Sequence, residues 1–273
     1  PLFLYLGGMV LISVLLGAGL LAQALAAGLP AGVVELALLP IAFLLLLGVS
    51  QSAVVLMNWL ASLLVKPKPL PRMDFAKGIP PTCRTLVVVP TMLTSQANVE
   101  QLVEALEVRF LGNRDEYLHF GLLTDFRDAH LASLPDDDSL VRLARTRIDE
   151  LNEKYARGGD GSRASSFFLF HRPRQWNVQD RIWMGYERKR GKLAALNALL
   201  RGGAGALSAN GFSLVVGDTA VLSGVRYVIT LDTDTQLPRD AARQFVGAMA
   251  HPLNRPHYDQ ARRLVTEGYG ILQ

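Results

Sequence analysis

One cysteine, Cys83, stands in 273 residues, so no disulfide forms within the chain. That favours a reducing cytoplasm for the part that carries it. The first 65 residues contain no lysine or arginine, and Glu35 is their one acid. All 28 basic residues therefore fall after residue 65. A dense Lys/Arg stripe is missing too. The net charge is +4, and the basic excess gathers between Arg172 and Arg201. This speaks against a nucleic-acid binder and for a local anionic ligand. A signal peptide does not fit either, because no basic segment precedes the first apolar run and that run is too long.

What is present divides between two solvents. Leu2 to Ala27 carries no charge and only Gln23 as a strongly polar side chain. About 20 apolar residues cross the hydrocarbon core as a helix, so this stretch suffices. Gly28-Leu29-Pro30 makes a short turn. A second apolar stretch, 33–65, is longer than one straight crossing needs. Pro40 can kink it, and Asn58-Trp59 suits the interface. Gln51 and Asn58, seven residues apart, share a helix face. They read either as a polar lining for a polysaccharide path or as a helix–helix contact with spans absent from this sequence. Lys66, Lys68 and Arg72 follow in a proline-rich stretch, 66–82, which makes a stiff linker. By the positive-inside rule, residues 66 onward face the cytoplasm. The expectation is a two-span transmembrane hairpin (about 2–27 and 33–65), the linker, and a cytosolic domain over 83–273.

That domain reads as α/β. Thr85-Leu-Val-Val-Val-Pro90 has the look of a buried parallel strand. Val99, Leu102, Val103, Leu106 and Phe110 recur at helical spacing, with Ser95 or Asn98 as caps. His119 to Asp125 is a second strand ending on an aspartate. Strand, helix, strand at this spacing is a βαβ unit. Ligands of such sheets sit beyond the carboxyl ends of the strands, so Asp125 falls where chemistry is expected. The triplet Asp136 to Asp138 opens an amphipathic helix, where helix-dipole and solvation roles explain it. Gly158 to Ser162 is a flexible loop, and 166–171 a third strand.

Residues 172–192 mix cations with Trp176, Trp183 and Tyr186 and lack clear periodicity. A long loop of this kind is usually functional or disordered, and its aromatics argue against disorder. Arg188, Lys189 and Lys192 suit a diphosphate, and flat aromatic faces suit a sugar or a base. A solvated charged loop over the core is the bland alternative. Gly191 to Leu200 is a helix whose first turn can offer N–H groups to an anion. An insertion, 202–224, contains a short strand at 212–216. Tyr227-Val-Ile-Thr-Leu-Asp232 is a strand that delivers Asp232 and Asp234, and Pro238 opens a helix over 239–250. In a continuing strand those two carboxylates point the same way and repel unless a cation lies between them. Hard oxygen ligands select Mg²⁺ or Mn²⁺, which commonly bridge to substrate phosphates. The rival reading makes them turn and capping residues.

Val-Val-Val-Pro-Thr, Leu-Leu-Thr-Asp-Phe, Arg-Gly-Lys-Leu-Ala-Ala-Leu-Asn-Ala-Leu-Leu and Ile-Thr-Leu-Asp-Thr-Asp-Thr-Gln-Leu-Pro resemble the ordered blocks of processive inverting glycosyltransferases. Cellulose and hyaluronan synthases belong to that group. The wording of 172–177, 182–200, 227–239 and 249–256 is more similar still to the cyclic β-1,2-glucan synthases of Gram-negative bacteria, and the likeness spans roughly 50–273. The resemblance implies a GT-A fold with a mostly parallel, helix-flanked sheet, UDP-glucose as donor, and a β-1,2-linked glucan as acceptor and product. It implies that Asp125 contacts the nucleoside, that Asp232 and Asp234 bind metal and diphosphate, and that Lys192 lies near the donor. It also implies a multi-pass protein of the bacterial inner membrane, in contact with lipid.

Two departures bear on this. The group's later acid motif (Thr-Glu-Asp or similar) and its Gln-x-x-Arg-Trp motif have no match before Gln273. The chain, which opens on Pro1 and stops inside an apolar run, reads as a piece of a longer polypeptide. The general base, worth about 10²–10⁴-fold, is expected beyond Gln273. The piece alone is then expected to bind UDP with metal and not to transfer glucose. The rival functions are a synthase of the same fold with another sugar or linkage, and a non-catalytic membrane protein that binds nucleotide or scaffolds an assembly.

Overall fold

The structure, a computed structural model, describes residues 2–26, 31–66, 68–156, 166–202 and 211–273. It divides into two compact units, Pro1–Pro69 and Leu70–Gln273. The expected turn at 28–30 and loop at 158–162 lie outside the described residues, as does 203–210 of the expected insertion.

The first unit is two packed helices, α1 (Leu2–Ala26) and α2 (Ala31–Leu64). Tyr5 donates its hydroxyl to Asn58 Oδ1 at 2.7 Å, and Gly8 lies so close to Met57 that a Cβ there would be 2.9 Å from the Met57 methyl. Asn58 thus makes its helix–helix contact with α1 of this chain, not with a further span as expected. Among the described residues one helical stretch, Leu47–Leu64, is long and apolar enough to cross a membrane; Phe3–Gly19 is apolar but shorter.

The second unit is built on a five-stranded sheet of order β6-β3-β2-β1-β7, with β1 Thr85–Leu93, β2 Leu118–Phe126, β3 Phe167–His171, β6 Leu214–Val216 and β7 Tyr227–Thr230. All neighbours are parallel except β6, an antiparallel edge. Every residue of β2 and β3 is buried, as expected of strands covered on both faces. Pro90 lies within β1, an interior strand, where a missing N–H normally breaks a ladder. It is tolerated because β7 pairs with β1 only as far as Val88, so from Pro90 onward β1 has a partner on one side, β2.

Helices cover both faces. Packed on one are α3 (Gln96–Gly112), α4 (Asp137–Lys154) and α6 (Ala241–Ala250), through Val99, Leu106, Phe110, Ile148 and Val246. The other is covered by α5 (Arg188–Gly202) through Leu196 and Leu199, against Leu86, Val88 and Phe168. Ser95 caps α3 by accepting from Asn98 N at 3.2 Å. The parallel, helix-flanked α/β class and the βαβ unit β1-α3-β2 are therefore present as the periodicity implied.

Several local expectations change. Residues 172–192 are not a long loop: β4 (Gln175–Asn177) and β5 (Ile182–Met184) pair as an antiparallel ribbon, and α5 begins at Arg188, three residues before the expected Gly191. The ribbon's turn is closed by Asn177 Oδ1, which accepts from Gln179 N at 2.9 Å, an Asx turn. β7 stops at Thr230, so Asp232 and Asp234 do not continue a strand; Asp232 opens, and Asp234 lies within, a turn in which Thr235 N donates to Asp232 O at 3.1 Å. The following helix starts at Ala241, not Arg239, because Asp240 takes a left-handed conformation (φ 59°) just before it. Asp137 is not a solvated dipole partner. It is buried against Arg174, where opposite charge offsets desolvation.

Candidate functional site

The carboxyl ends of β2, β1 and β7 lie side by side, and one helix turn reaches all three. At the end of β2 the Asp125 side chain is 2% exposed. Lys192 Nζ donates to Asp125 Oδ1 at 2.8 Å and to Thr91 O of β1 at 2.5 Å. Just past β7, Asp232 is ion-paired with Lys189. Lys189 and Lys192 are three apart on α5 and so share a face. The first turn of α5 thus bridges the aspartate of β2 and the aspartate of the β7 loop across β1.

The environments at the two ends differ. Lys192 is buried, which pulls its ammonium below the ordinary lysine range, with the Asp125 carboxylate opposing the shift. Arg172 NH2 stands 3.6 Å from Asp125 Oδ2, and burial lowers its pKa too. Two buried cations therefore face one buried carboxylate, leaving an excess of positive charge at the sheet edge. Asp232 is 61% exposed and Lys189 51%, an open pair that costs little to exchange for another partner.

Backbone conformation packs this corner tightly. Glu187 and Arg188 both have positive φ, 54° and 46°, which costs of order 1–3 kcal/mol each in a non-glycine residue. A Cβ at Gly185 would overlap Asp125 Oδ2, and one at Gly191 would overlap the Tyr186 carbonyl. Arg172 NH2 donates to that same carbonyl at 3.0 Å. Glycine is required at both positions by close approach, not by φ.

The remaining expected residues fall around this corner. Trp176 and Trp183 are direct cross-strand partners on the ribbon, ring centroids 5.7 Å apart and tilted by 58°; Trp176 is 45% exposed. The ribbon is tied to the segment after β2 by reciprocal bonds between Ala129 and Trp183, 2.8 and 2.9 Å. Arg188 pairs with Asp128 at 2.6 Å and so points to the β2 side, away from Lys189. Asp234 is exposed and has no ion-pair partner among the described residues.

A divalent ion fits this chain only in part. Among the described residues no three His, Cys, Asp or Glu side chains group to hold a metal. Asp232 and Asp234 offer two carboxylates at an exposed turn. That suits Mg²⁺ or Mn²⁺, which take one or two carboxylates and complete the shell with water and phosphate.

Three buried arginines escape the sequence. Arg172 and Arg174 sit in the basic stretch but are buried structural cations, not surface charge. Arg109, in an ordinary amphipathic helix, is also buried and bonds to the carbonyls of the Asp232 loop. Only its odd place on an otherwise apolar face signals it.

A parallel α/β domain whose aspartates and lysines gather at the carboxyl edge of the sheet defines the class. The chain is 41% identical over 224 residues to the cyclic beta-(1,2)-glucan synthase NdvB of Rhizobium meliloti (strain 1021). That match covers 82% of this chain and 8% of the relative. The chain is a cyclic glucan synthase-related region. No protein-family model matches the sequence.

Proposed function

We propose that this region forms the donor-nucleotide half of a GT-A-like, membrane-anchored glycosyltransferase that passes glucose from UDP-glucose to a growing β-1,2-glucan with inversion. The observation that carries the reading is the first turn of α5, whose Lys189 and Lys192 join Asp232 and Asp125 across the sheet edge. A nucleoside diphosphate has a neutral ring and a concentrated negative charge, and this corner has a matching division. The open end, with Lys189 at Asp232, meets the diphosphate, the Asp125 end meets the nucleoside, and the Trp176 and Trp183 faces accept a sugar or base. Bound at Asp232 and Asp234, Mg²⁺ or Mn²⁺ would neutralise charge on the leaving diphosphate. Lys189 then exchanges its partner Asp232 for phosphate oxygen, while Arg188 adds positive charge beside Asp128. Lys192 keeps Asp125 fixed toward the nucleoside. Relation to a glucan synthase supports glucose transfer as the activity of the longer protein and an inner-membrane setting; the apolar stretch Leu47–Leu64 of α2 supports contact with lipid, and Lys66, Lys68 and Arg72 after it support a cytosolic α/β unit.

The test is UDP-glucose binding to the chain in detergent, with Mg²⁺, with Mn²⁺ and with EDTA, in wild type and Asp234→Asn. Metal-dependent binding in the wild type and its loss in Asp234→Asn is the expected result. Equal binding in all arms refutes the assignment of the aspartate pair. Competition by other nucleotide sugars as effective as UDP-glucose points instead to a synthase of another sugar. Unchanged glucan synthesis by a full-length protein carrying Asp232→Asn and Asp234→Asn points to a non-catalytic role.

A further inference from the structure

The Asp232–Asp234 loop has little packing of its own: residues 232–236 are all exposed. Its conformation is imposed from beneath by α3. Arg109, 6% exposed, donates NH2 to Thr233 O and Thr235 O at 2.8 Å each and to Asp232 O at 3.5 Å, and Nε to Thr235 O at 3.1 Å. Among the described residues this guanidinium has no carboxylate partner, so its charge is met by backbone carbonyls alone. Burial accordingly pulls its pKa down. One turn along α3, Asn113 Nδ2 donates to Leu237 O and Pro238 O at 3.3 and 3.0 Å, and its Oδ1 accepts from Ala242 N at 3.0 Å. Arg109 and Asn113 thus hold successive parts of one loop, from the first aspartate to the start of α6.

The structure assigns Arg109 as the positioning residue for the Asp232 and Asp234 carboxylates, with Asn113 fixing the far end of the loop. Drawing three carbonyls inward onto one planar, rigid fork leaves the aspartate side chains on the outer side of the turn. This rests on the proposed role of that pair in binding a divalent ion, and gives it a physical basis: groups behind metal ligands commonly set affinity by 10–100-fold.

The experiment uses the purified chain in detergent with UDP. Free Mn²⁺ is titrated by electron paramagnetic resonance, and amide hydrogen exchange is read by mass spectrometry. Variants are Arg109→Gln, Arg109→Lys and Asp234→Asn. Expected for both Arg109 variants is Mn²⁺ affinity weakened about 10-fold or more, with faster exchange confined to 231–242 and unchanged protection in β1 and β2. Arg109→Lys retains the charge without the fork, so affinity recovered to the wild-type level in it overturns the geometric part of the assignment. Wild-type Mn²⁺ affinity in the Arg109 variants, while Asp234→Asn has lost it, overturns Arg109 alone and leaves the aspartate site standing. Wild-type affinity in Asp234→Asn overturns the aspartate reading and the positioning role with it. Loss of protection throughout β1 and β2 in both Arg109 variants makes the residue a general core element and also refutes the assignment.

Discussion

Lys192 Nζ stands 2.8 Å from Asp125 Oδ1, with both side chains almost fully buried, 5% and 2% exposed. Breaking a buried pair from one side leaves an uncompensated charge, which typically costs about 3–5 kcal/mol. Arg172, 3.6 Å from the other Asp125 oxygen, offsets part of that, so Lys192→Met is expected at about 3 kcal/mol in urea unfolding. Adding Asp125→Leu to Lys192→Met strands the buried Arg172 guanidinium without its carboxylate, so the double variant is expected to be less stable than Lys192→Met alone. A double variant as stable as the single one, or more so, would show that Arg172 does not depend on Asp125.

Gly185 is held by that pair. A Cβ there would overlap Asp125 Oδ2, and that carboxylate is buried and held by Lys192. Gly185→Ala is expected to cost about 1–3 kcal/mol by overpacking and to weaken UDP binding through displaced Asp125. Calorimetric melting with parallel UDP titration checks both; an unaltered melt with unaltered binding means the corner adapts freely.

The layered architecture was legible because β1, β2 and β3 are apolar runs and α3 carries its core residues at helical spacing. Both signals report burial, and burial is what the fold is built on. Asp125 and Asp232 were legible for a related reason, since strand ends of parallel sheets are where loops emerge. What escaped were long-range polar partners. Asp137 looks like the acids beside it, and Arg109 shows only its odd place on an apolar face, because each acquires its partner 37 residues or more away along the chain. The ribbon at 175–184 was missed because three-residue strands give too few positions for alternation to show. Its stabilising contact, Trp176 against Trp183, lies across the strands rather than along them.

Trp176 tests whether the ribbon meets the sugar. Its ring is 45% exposed, so truncation creates no cavity in the core, and Trp176→Ala should shift stability by less than about 1 kcal/mol. A lost stacking face of this kind should weaken UDP-glucose by several-fold while leaving UDP closer to wild type. Titrating both ligands separates the outcomes: equal weakening assigns Trp176 to the base, and no change for either removes it from the site.

His171 ends β3 beneath the same corner, fully enclosed, with Nδ1 2.9 Å from Thr124 Oγ1. Burial pushes its pKa down to about 4; Arg174, Lys192 and Arg172 add to that, and Asp137 opposes it. The folded state therefore binds its proton less readily than the unfolded chain, whose histidine titrates near 6.5. Stability from this group is fully present above pH 6.5 and is lost as pH falls toward 4, by about 3 kcal/mol across that window. Unfolding free energy measured from pH 7.5 to 4 should show the decline in wild type and a shallower one in His171→Gln, which cannot take up the proton. Parallel slopes in the two proteins would mean that the imidazole is already charged, or freely hydrated, in the folded chain.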